Sequence, residues 1–357
     1  METIRFAIIG CGKVSALHAK ALENAKGCSL VAVSGHHLDK AEAFGHTWNI
    51  PSYDDITRMV REQKVDVAVI TTPHPIHKEN AITALKAGAN VLIEKPMAVT
   101  VAECEEILET AGKLGKKVGV ISQRRWYPAC MRIRQAIDDG KIGQPMLGQL
   151  TMLGWRDEKY YSSDPWRGKW DTEGGGVLIN QSPHQLDLLH WYLGPVKEVF
   201  GFWKNINHPY IEVEDTAVAS VLFKSGAMAS ILVSNSQKPG IYAKVHIHGD
   251  KAYSTGVQTD GGAMFIAGMS GITDPPINDL WTIPGEEGNL DLWKAEDSKF
   301  FSTIDATWYF FQKQEEEYAK SLLTGEKMMS DGIEGMETVR LIEGIYKSQK
   351  SGKPIIY

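Results

Sequence analysis

Cysteine is scarce in this chain: four in 357 residues, Cys11, Cys28, Cys104 and Cys130, with no Cys-x-x-Cys pair. Such spacing suits reduced thiols in a cytoplasmic protein better than a disulfide framework or a zinc site. Long apolar runs are missing too. No uninterrupted stretch could cross a bilayer, and Ile4–Ile9 is too short for a signal peptide and lacks a basic lead, so it reads as a strand. Basic charge is not in excess. Lys and Arg number 38 against 44 Asp and Glu, a net charge of −6, which argues against nucleic acid or an anionic membrane as partner. Eleven histidines do not sort into a metal set. His246 and His248 share a strand face with no carboxylate or cysteine in the segment to complete them, so no metal is expected. Internal repeats and low-complexity tracts are also absent.

What is present is an ordinary globular composition, 43% apolar and 23% charged, on a chain long enough for two domains. Residues 1–123 alternate strand and helix. Strand-like runs fall at 4–9, 29–34, 65–71, 90–93 and 117–122, with helical patterns at 14–24, 39–44, 53–62, 75–87 and 101–114. Continuous apolar runs at the third and fifth strands mark a parallel sheet covered on both faces. The spacing therefore predicts an α/β Rossmann domain over 1–123 with right-handed crossovers. Residues 124–357 read as an α+β domain with an open-faced, mostly antiparallel sheet. A helix at 128–139, a hairpin from 217–223 and 227–234, a strand at 242–249 and a helix from Asn180 to Leu193 belong to it. Residues 255–300 read as ordered loops and short strands, and 311–323 and 333–348 as terminal helices.

Four stretches carry chemistry. Gly10-Cys11-Gly12-Lys13-Val14-Ser15 follows the first strand; the first glycine permits a tight turn and the second admits a pyrophosphate to a helix N-terminus. The second strand ends Val33-Ser34-Gly35-His36-His37, with no carboxylate until Asp39 to hold an adenosine ribose in the NAD manner. Ser34, His36 and Lys40 lean toward a 2′-phosphate instead, so NAD(H) and NADP(H) both stay open. Glu94-Lys95-Pro96 ends a buried strand where open α/β sheets place their ligands. The lysine there can donate to a hydroxyl and stabilise charge developing on oxygen. His184 follows Pro183 at a helix start, where the macrodipole favours the neutral imidazole that a general base needs. Asp187 reads as an orienting or capping group.

Trp166-Arg167-Gly168-Lys169-Trp170 alternates aromatic and cationic groups and fits a sugar-binding wall or plain packing equally well. Arg124 and Trp126, at the end of the first domain, carry the same two readings.

These residues resemble the glucose–fructose oxidoreductase / inositol dehydrogenase (Gfo/Idh/MocA) family along the whole chain. Four ordered motifs carry the resemblance. They are the Gly10–Ser15 turn with His18, Thr72-Pro73-His74 with His77, Ala87 through Pro96, and Gly174-Gly175-Gly176 through Asn180, His184 and Asp187. It implies that Lys95 and His184 are catalytic, and that Gly10, Gly12, Lys13, Val14, Ser34, His36, Thr72, Pro73, His74, His77, Glu94 and Lys95 attend the cofactor. Asn180, Asp187, Arg167, Trp166, Trp170, Arg124 and Trp126 would face the substrate. It also implies a homodimer or homotetramer. Many members place an aspartate four residues before the histidine; Asn180 stands there and cannot take a proton.

Within the family, the Asn-Gln helix start and the Trp-Arg-Gly-Lys-Trp run are similar to enzymes that oxidise a hexose at carbon 3. Residues 255–287 are more similar to those acting on glycosides than to those acting on nucleotide-sugar uronates. The expected activity is transfer of a hydride between a nicotinamide, exchanged or tightly bound, and a ring hydroxyl of a glucosyl unit, giving a 3-keto sugar. Uronate oxidation, redox-assisted glycoside cleavage and non-catalytic ligand sensing are the rivals.

Overall fold

The computed structural model describes residues 3–259 and 275–357, so the middle of the 255–287 stretch lies outside the described residues. Two compact units are present: Met1–Gln123 with Ala306–Val339, and Arg124–Asp305 with Arg340–Tyr357. The chain thus returns to the first unit late. Residues 306–339 pack there, whereas the sequence reading carries 124–357 as one piece.

In the first unit the chain runs β1 (Ile4–Ile9), α1 (Lys13–Asn24), β2 (Cys28–Ser34), α2 (Leu38–Trp48), β3 (Ser52–Tyr53), α3 (Ile56–Glu62), β4 (Val67–Ile70), α4 (His77–Ala87), β5 (Asn90–Ile93), α5 (Val101–Leu114) and β6 (Val118–Val120). The six strands are parallel, in the order β3-β2-β1-β4-β5-β6. Every residue of β4 is buried, as a strand covered on both faces must be. Capping sets the helix ends. Thr100 and Glu103 form a reciprocal capping box at the start of α5, and Gly115 closes it in the left-handed conformation. The two-residue β3 carries no pattern long enough to read from sequence.

The second unit contains α6 (Pro128–Asp138), β7 (Pro145–Leu153), α7 (Glu158–Ser162), α8 (Trp170–Glu173), α9 (Val177–Asn180), α10 (Pro183–Leu193), β8 (Val196–Lys204), β9 (Thr216–Phe223), β10 (Met228–Ser234), β11 (Tyr242–Gly249), β12 (Ser254–Thr259), β13 (Ile277–Trp281) and α11 (Asn289–Phe301). Then α12 (Tyr309–Thr324) belongs to the first unit, α13 (Gly332–Ser351) begins there, and β14 (Ile355–Ile356) closes the second.

Eight strands form one sheet, β13-β12-β11-β7-β10-β9-β8-β14, antiparallel except for the β7–β10 pair. Its inner face carries Leu150, Met152, Ile231, Val233, Val245 and Ile247, all buried, with α10 packed against β7 and β11. Gly148 in β7 is demanded by that packing, since a Cβ there would meet Leu193 and Leu189. The other face stays open: Phe202 is 59% exposed, Met228 55% and Leu147 46%. Ladder register places these with Val218, Leu232 and Lys244 on one side.

Two elements differ from expectation. The helix read over Asn180–Leu193 is broken at Gln181–Ser182. Gln181 and Ser182 keep helical dihedrals, but Pro183 has no N–H to donate back to Ile179, so the ladder lapses and α10 starts afresh at the proline. Within 255–300 there is a full helix, α11. It has almost no apolar stripe; its one buried residue is Asp297, held by two bonds from Arg132 at 2.7 and 2.6 Å. Among the described residues no helix is long and apolar enough to cross a membrane, and no group of three metal-binding side chains assembles. None of the four cysteines is in a disulfide.

Candidate active site

At the end of β1 the chain makes the glycine turn. Gly10 has φ +123°, and a Cβ there would press on Thr71. Ser15, the departure from the strict glycine fingerprint, accepts the Gly12 N–H at 3.0 Å and bonds Thr71 Oγ1 at 2.8 Å. It ties the turn to the end of β4. Gly12 is different: a Cβ added to it meets nothing within 4 Å, and both it and Lys13 are exposed. The open side of Gly12 at the N-terminus of a twelve-residue helix is the approach a pyrophosphate needs, so these residues fit a dinucleotide. Val14 is half-buried beside them. Ser34 is buried at the end of β2, while His36, His37, Asp39 and Lys40 are exposed just beyond it.

The Thr72–His77 segment holds a correction. His77 is fully buried, and its two ring nitrogens meet the carbonyl oxygens of Pro96 at 2.9 Å and Thr72 at 2.7 Å. Burial pulls its pKa down, against those two carbonyls. Neutral, it donates its one N–H to one of these carbonyls and lies against the other, so His77 sits between the 72–74 loop and the turn after β5 as an internal contact. His74 is also buried and packs edge-on to His77 at 5.8 Å. Thr72 remains half-buried, and Pro73 is exposed.

Lys95 is the one residue between Val91 and Ala98 that is not buried. Beneath it, Glu94 accepts the Lys95 N–H at 3.0 Å with one oxygen and contacts His18 Nε2 at 3.0 Å with the other. Glu315, from α12, meets His18 Nδ1 at 2.8 Å. Burial disfavours charge on His18, but hydrogen bonds to Glu315 and Glu94 outweigh it and push the imidazole up to about 9. Burial raises Glu315 to about 7. It works to raise Glu94 too, but there His18 and Lys95 outweigh it and hold the carboxyl below its usual range. Glu94, expected at the cofactor, is therefore the base on which Lys95 stands.

A group whose folded pKa is raised contributes stability below its unfolded pKa, near 6.5 for histidine, and loses it as pH rises through the folded value. Thermal stability is accordingly expected to decline between about pH 6.5 and 9, by roughly 2–4 °C for each kcal/mol lost. His18→Gln is expected to flatten that slope. Scanning calorimetry across the range checks it, and an unchanged slope in the variant contradicts a charged His18.

In the second unit, His184 is the one residue between Gly175 and His190 that is not buried. It lies in the first turn of α10, within an otherwise closed wall. Asp187, one turn on, is buried and takes both bonds of a fork from Arg125, at 2.9 and 2.7 Å. Burial would raise this carboxyl, but Arg125, then His190, hold it far below the ordinary range. Asp187 thus locks α10 to the turn that carries Arg125, with both oxygens engaged inside the protein. Arg125 is wholly buried, with its guanidinium 5.1 Å from the Trp191 ring centre. Arg124 is buried as well and donates to Thr259 Oγ1 at 3.1 Å, while Trp126 is half-buried.

The supposed sugar wall divides. Trp170 donates its indole N–H to the Glu212 carbonyl at 3.1 Å and packs edge-on to Trp203 and Tyr346, so it is an internal brace. Arg167 lies 4.4 Å from the ring centres of both Tyr160 and Trp166 and donates to Tyr160 Oη at 2.5 Å. Asn180 is nearly buried and donates through Nδ2 to Glu173 and to Tyr160 Oη. Glu214 braces the turn before α9, accepting the N–H groups of Gly176 at 2.9 Å and Leu178 at 3.0 Å. Nothing in the sequence marks Glu173, Tyr160, Glu214 or Glu315 for these places.

Two models of one family match the chain: "Oxidoreductase family, NAD-binding Rossmann fold" over residues 4–122 and "GFO/IDH/MocA C-terminal domain" over 130–255. The protein belongs to the Gfo/Idh/MocA family, and is an NAD-dependent oxidoreductase acting on CH–OH groups. An inositol 2-dehydrogenase from Rhizobium meliloti is 26% identical over 78% of this chain and 83% of its own. The D-glucoside 3-dehydrogenase of Escherichia coli K12 is 29% identical over 71% of this chain and 76% of its own. Among solved structures, the WlbA dehydrogenase from Bordetella pertussis, in complex with NADH and UDP-GlcNAcA, aligns with TM-score 0.86 at 24% identity, covering 100% and 98% of the two chains.

Proposed function

We propose that the protein is a sugar dehydrogenase that oxidises a ring hydroxyl, at carbon 3, of a glucosyl unit or glycoside. The observation that carries this reading is that Lys95 in the first unit and His184 in the second are each the single accessible residue in a buried run. The Gly10–Ser15 turn would hold the pyrophosphate of a dinucleotide whose nicotinamide would supply the hydride acceptor. His184 takes the hydroxyl proton, and Lys95 donates to the oxygen and stabilises its alkoxide character. Glu94 and His18 hold Lys95 from behind. A D-glucoside 3-dehydrogenase and inositol dehydrogenases both stand among the relatives, and Asn180, where many members have an aspartate, supports a glucoside over an inositol. The Ser34-Gly35-His36-His37 end of β2 leaves room for NADP(H) beside NAD(H). The open apolar face of the second sheet suits a second copy of the chain, in a homodimer or homotetramer, which light scattering decides.

Absorbance near the reduced nicotinamide band tests the activity directly. A rise on adding methyl β-glucoside to the protein with NAD is expected. Silence with NAD and NADP alike, and a rise with a nucleotide-sugar uronate, would move the reading to the uronate class represented by the WlbA complex.

A further inference from the structure

Behind Lys95 lies a line of three buried groups, Glu94, His18 and Glu315, the last reaching in from α12. A carboxyl faces each nitrogen of the His18 ring: Glu94 Oε1 is 3.0 Å from Nε2, and Glu315 Oε1 is 2.8 Å from Nδ1. A neutral imidazole has one N–H and would turn a lone pair toward one of them, whereas the imidazolium donates to both. His18 therefore carries its proton while both carboxyls are ionised. Two carboxylates and one imidazolium then leave one net negative charge. The carboxyls differ in what their second oxygens meet. Glu94 Oε2 accepts the Lys95 N–H at 3.0 Å. Among the described residues no donor meets Glu315 Oε2, although it is buried. A further proton on Glu94 would stand against a donor. On Glu315 Oε2 it would not, and it would relieve a buried charge that lacks a full set of partners.

We infer that Glu315 is a positioning residue that holds the exchangeable proton of this line, and that its charge sets how firmly Glu94 supports the Lys95 ammonium. Ionised, Glu315 shares the His18 cation and leaves Glu94 more of its negative charge for Lys95. Protonated, it yields the cation to Glu94, and the field at Lys95 weakens. Burial pushes Glu315 up to about 7. Burial acts on Glu94 as well, but His18 and Lys95 outweigh it, so the proton goes to Glu315 near neutral pH. The other titratable groups around Glu315 are Cys28 from β2 and Glu316 beside it on α12. Burial, then Glu315 and Glu316, pushes the Cys28 thiol up to about 12, so it stays neutral. Burial works to raise Glu316, but the Lys26 N–H at 3.0 Å, Lys313 at 2.9 Å and Gln312 at 2.8 Å hold it low. The inference rests on Lys95 acting as proposed and names the group that tunes it.

Nitrogen NMR of the His18 ring, followed from pH 5 to 10, tests where the proton sits without reference to turnover. In the parent both ring nitrogens are expected to stay protonated to about pH 9, with a step near pH 7. The step should be larger at Nδ1, which faces Glu315, than at Nε2. Glu315→Gln is expected to abolish it and to bring loss of the ring proton to lower pH. A larger step at Nε2, or a step that survives in Glu315→Gln, overturns the inference.

Turnover of methyl β-glucoside tests the effect on Lys95. In Glu315→Gln the alkaline fall of kcat is expected to move to lower pH by up to about one unit, because Lys95 loses its ammonium sooner. KM and the acid limb are expected to stay in place. Glu315→Asp keeps the carboxyl and should restore most of the alkaline range. A kcat lowered alike at every pH, with the limb unmoved, marks a merely structural Glu315 and overturns the inference. If Glu315→Gln fails to fold, shown by its melting curve, the parent decides: no step at Nδ1 between pH 5 and 9 overturns it. A parent inert toward every glucoside overturns the proposed function, while the nitrogen titration still decides this inference by itself.

Discussion

His184→Ala is expected to lower kcat by roughly 10²–10⁴, the range a positioned general base contributes. Lys95→Ala is expected to cost at least about 10², because it removes the donor to an oxygen on which charge develops. Neither change should disturb folding, since both side chains are the accessible members of buried runs. NAD affinity, measured by fluorescence titration, is expected to stay within a few-fold of the parent. The glycine turn, which fits the dinucleotide, and the β2 end are untouched. On the proposed reading the double variant should be little worse than the poorer single. Near-parental turnover in either variant would contradict the assignment.

The second large effect is on stability. Asp187→Ala leaves Arg125 wholly buried without its carboxylate, and breaking such a pair typically costs about 3–5 kcal/mol. At roughly 2–4 °C per kcal/mol, melting should fall by about 10 °C. The pH dependence has a definite sign. Asp187 is held below its unfolded pKa of about 3.9, so its contribution is present above that value and is lost as pH falls below it. The parent should therefore weaken below about pH 4 more steeply than the variant. Replacing both partners, Arg125→Met with Asp187→Leu, should recover much of the loss, as matched apolar pairs often do. Parental stability in Asp187→Ala, with activity gone, would instead make Asp187 a substrate ligand.

What is legible in the sequence divides along physical lines. The glycine turn, Lys95 before a proline and His184 behind one are local features, and a strand end or a helix start decides what each can do. The βαβ alternation is likewise written in local periodicity. Partners distant along the chain leave no such mark. Glu315 reaches His18 from 297 positions away, and Arg125 reaches Asp187 across 62. So Glu94, His77 and Asp187 read as ligand contacts in the sequence, although each is engaged within the protein. Helix α11 goes unread because an ion pair from Arg132 and the Trp281–Trp293 contact at 4.8 Å hold it in place of an apolar stripe. The return of residues 306–339 to the first unit follows from side chains too. Tyr318 Oη bonds the Val91 and Lys117 carbonyls, and Gln314 bonds Ser122 and Val120.

Isotope transfer bears most directly on the central claim. Methyl β-glucoside deuterated only at carbon 3 is mixed with the protein and NAD, and the nicotinamide is recovered and analysed by mass spectrometry. One deuterium in the reduced nicotinamide, absent with His184→Ala, is the expected result. Deuterium that stays in the sugar, or transfer only from a substrate labelled at another carbon, would contradict oxidation at carbon 3.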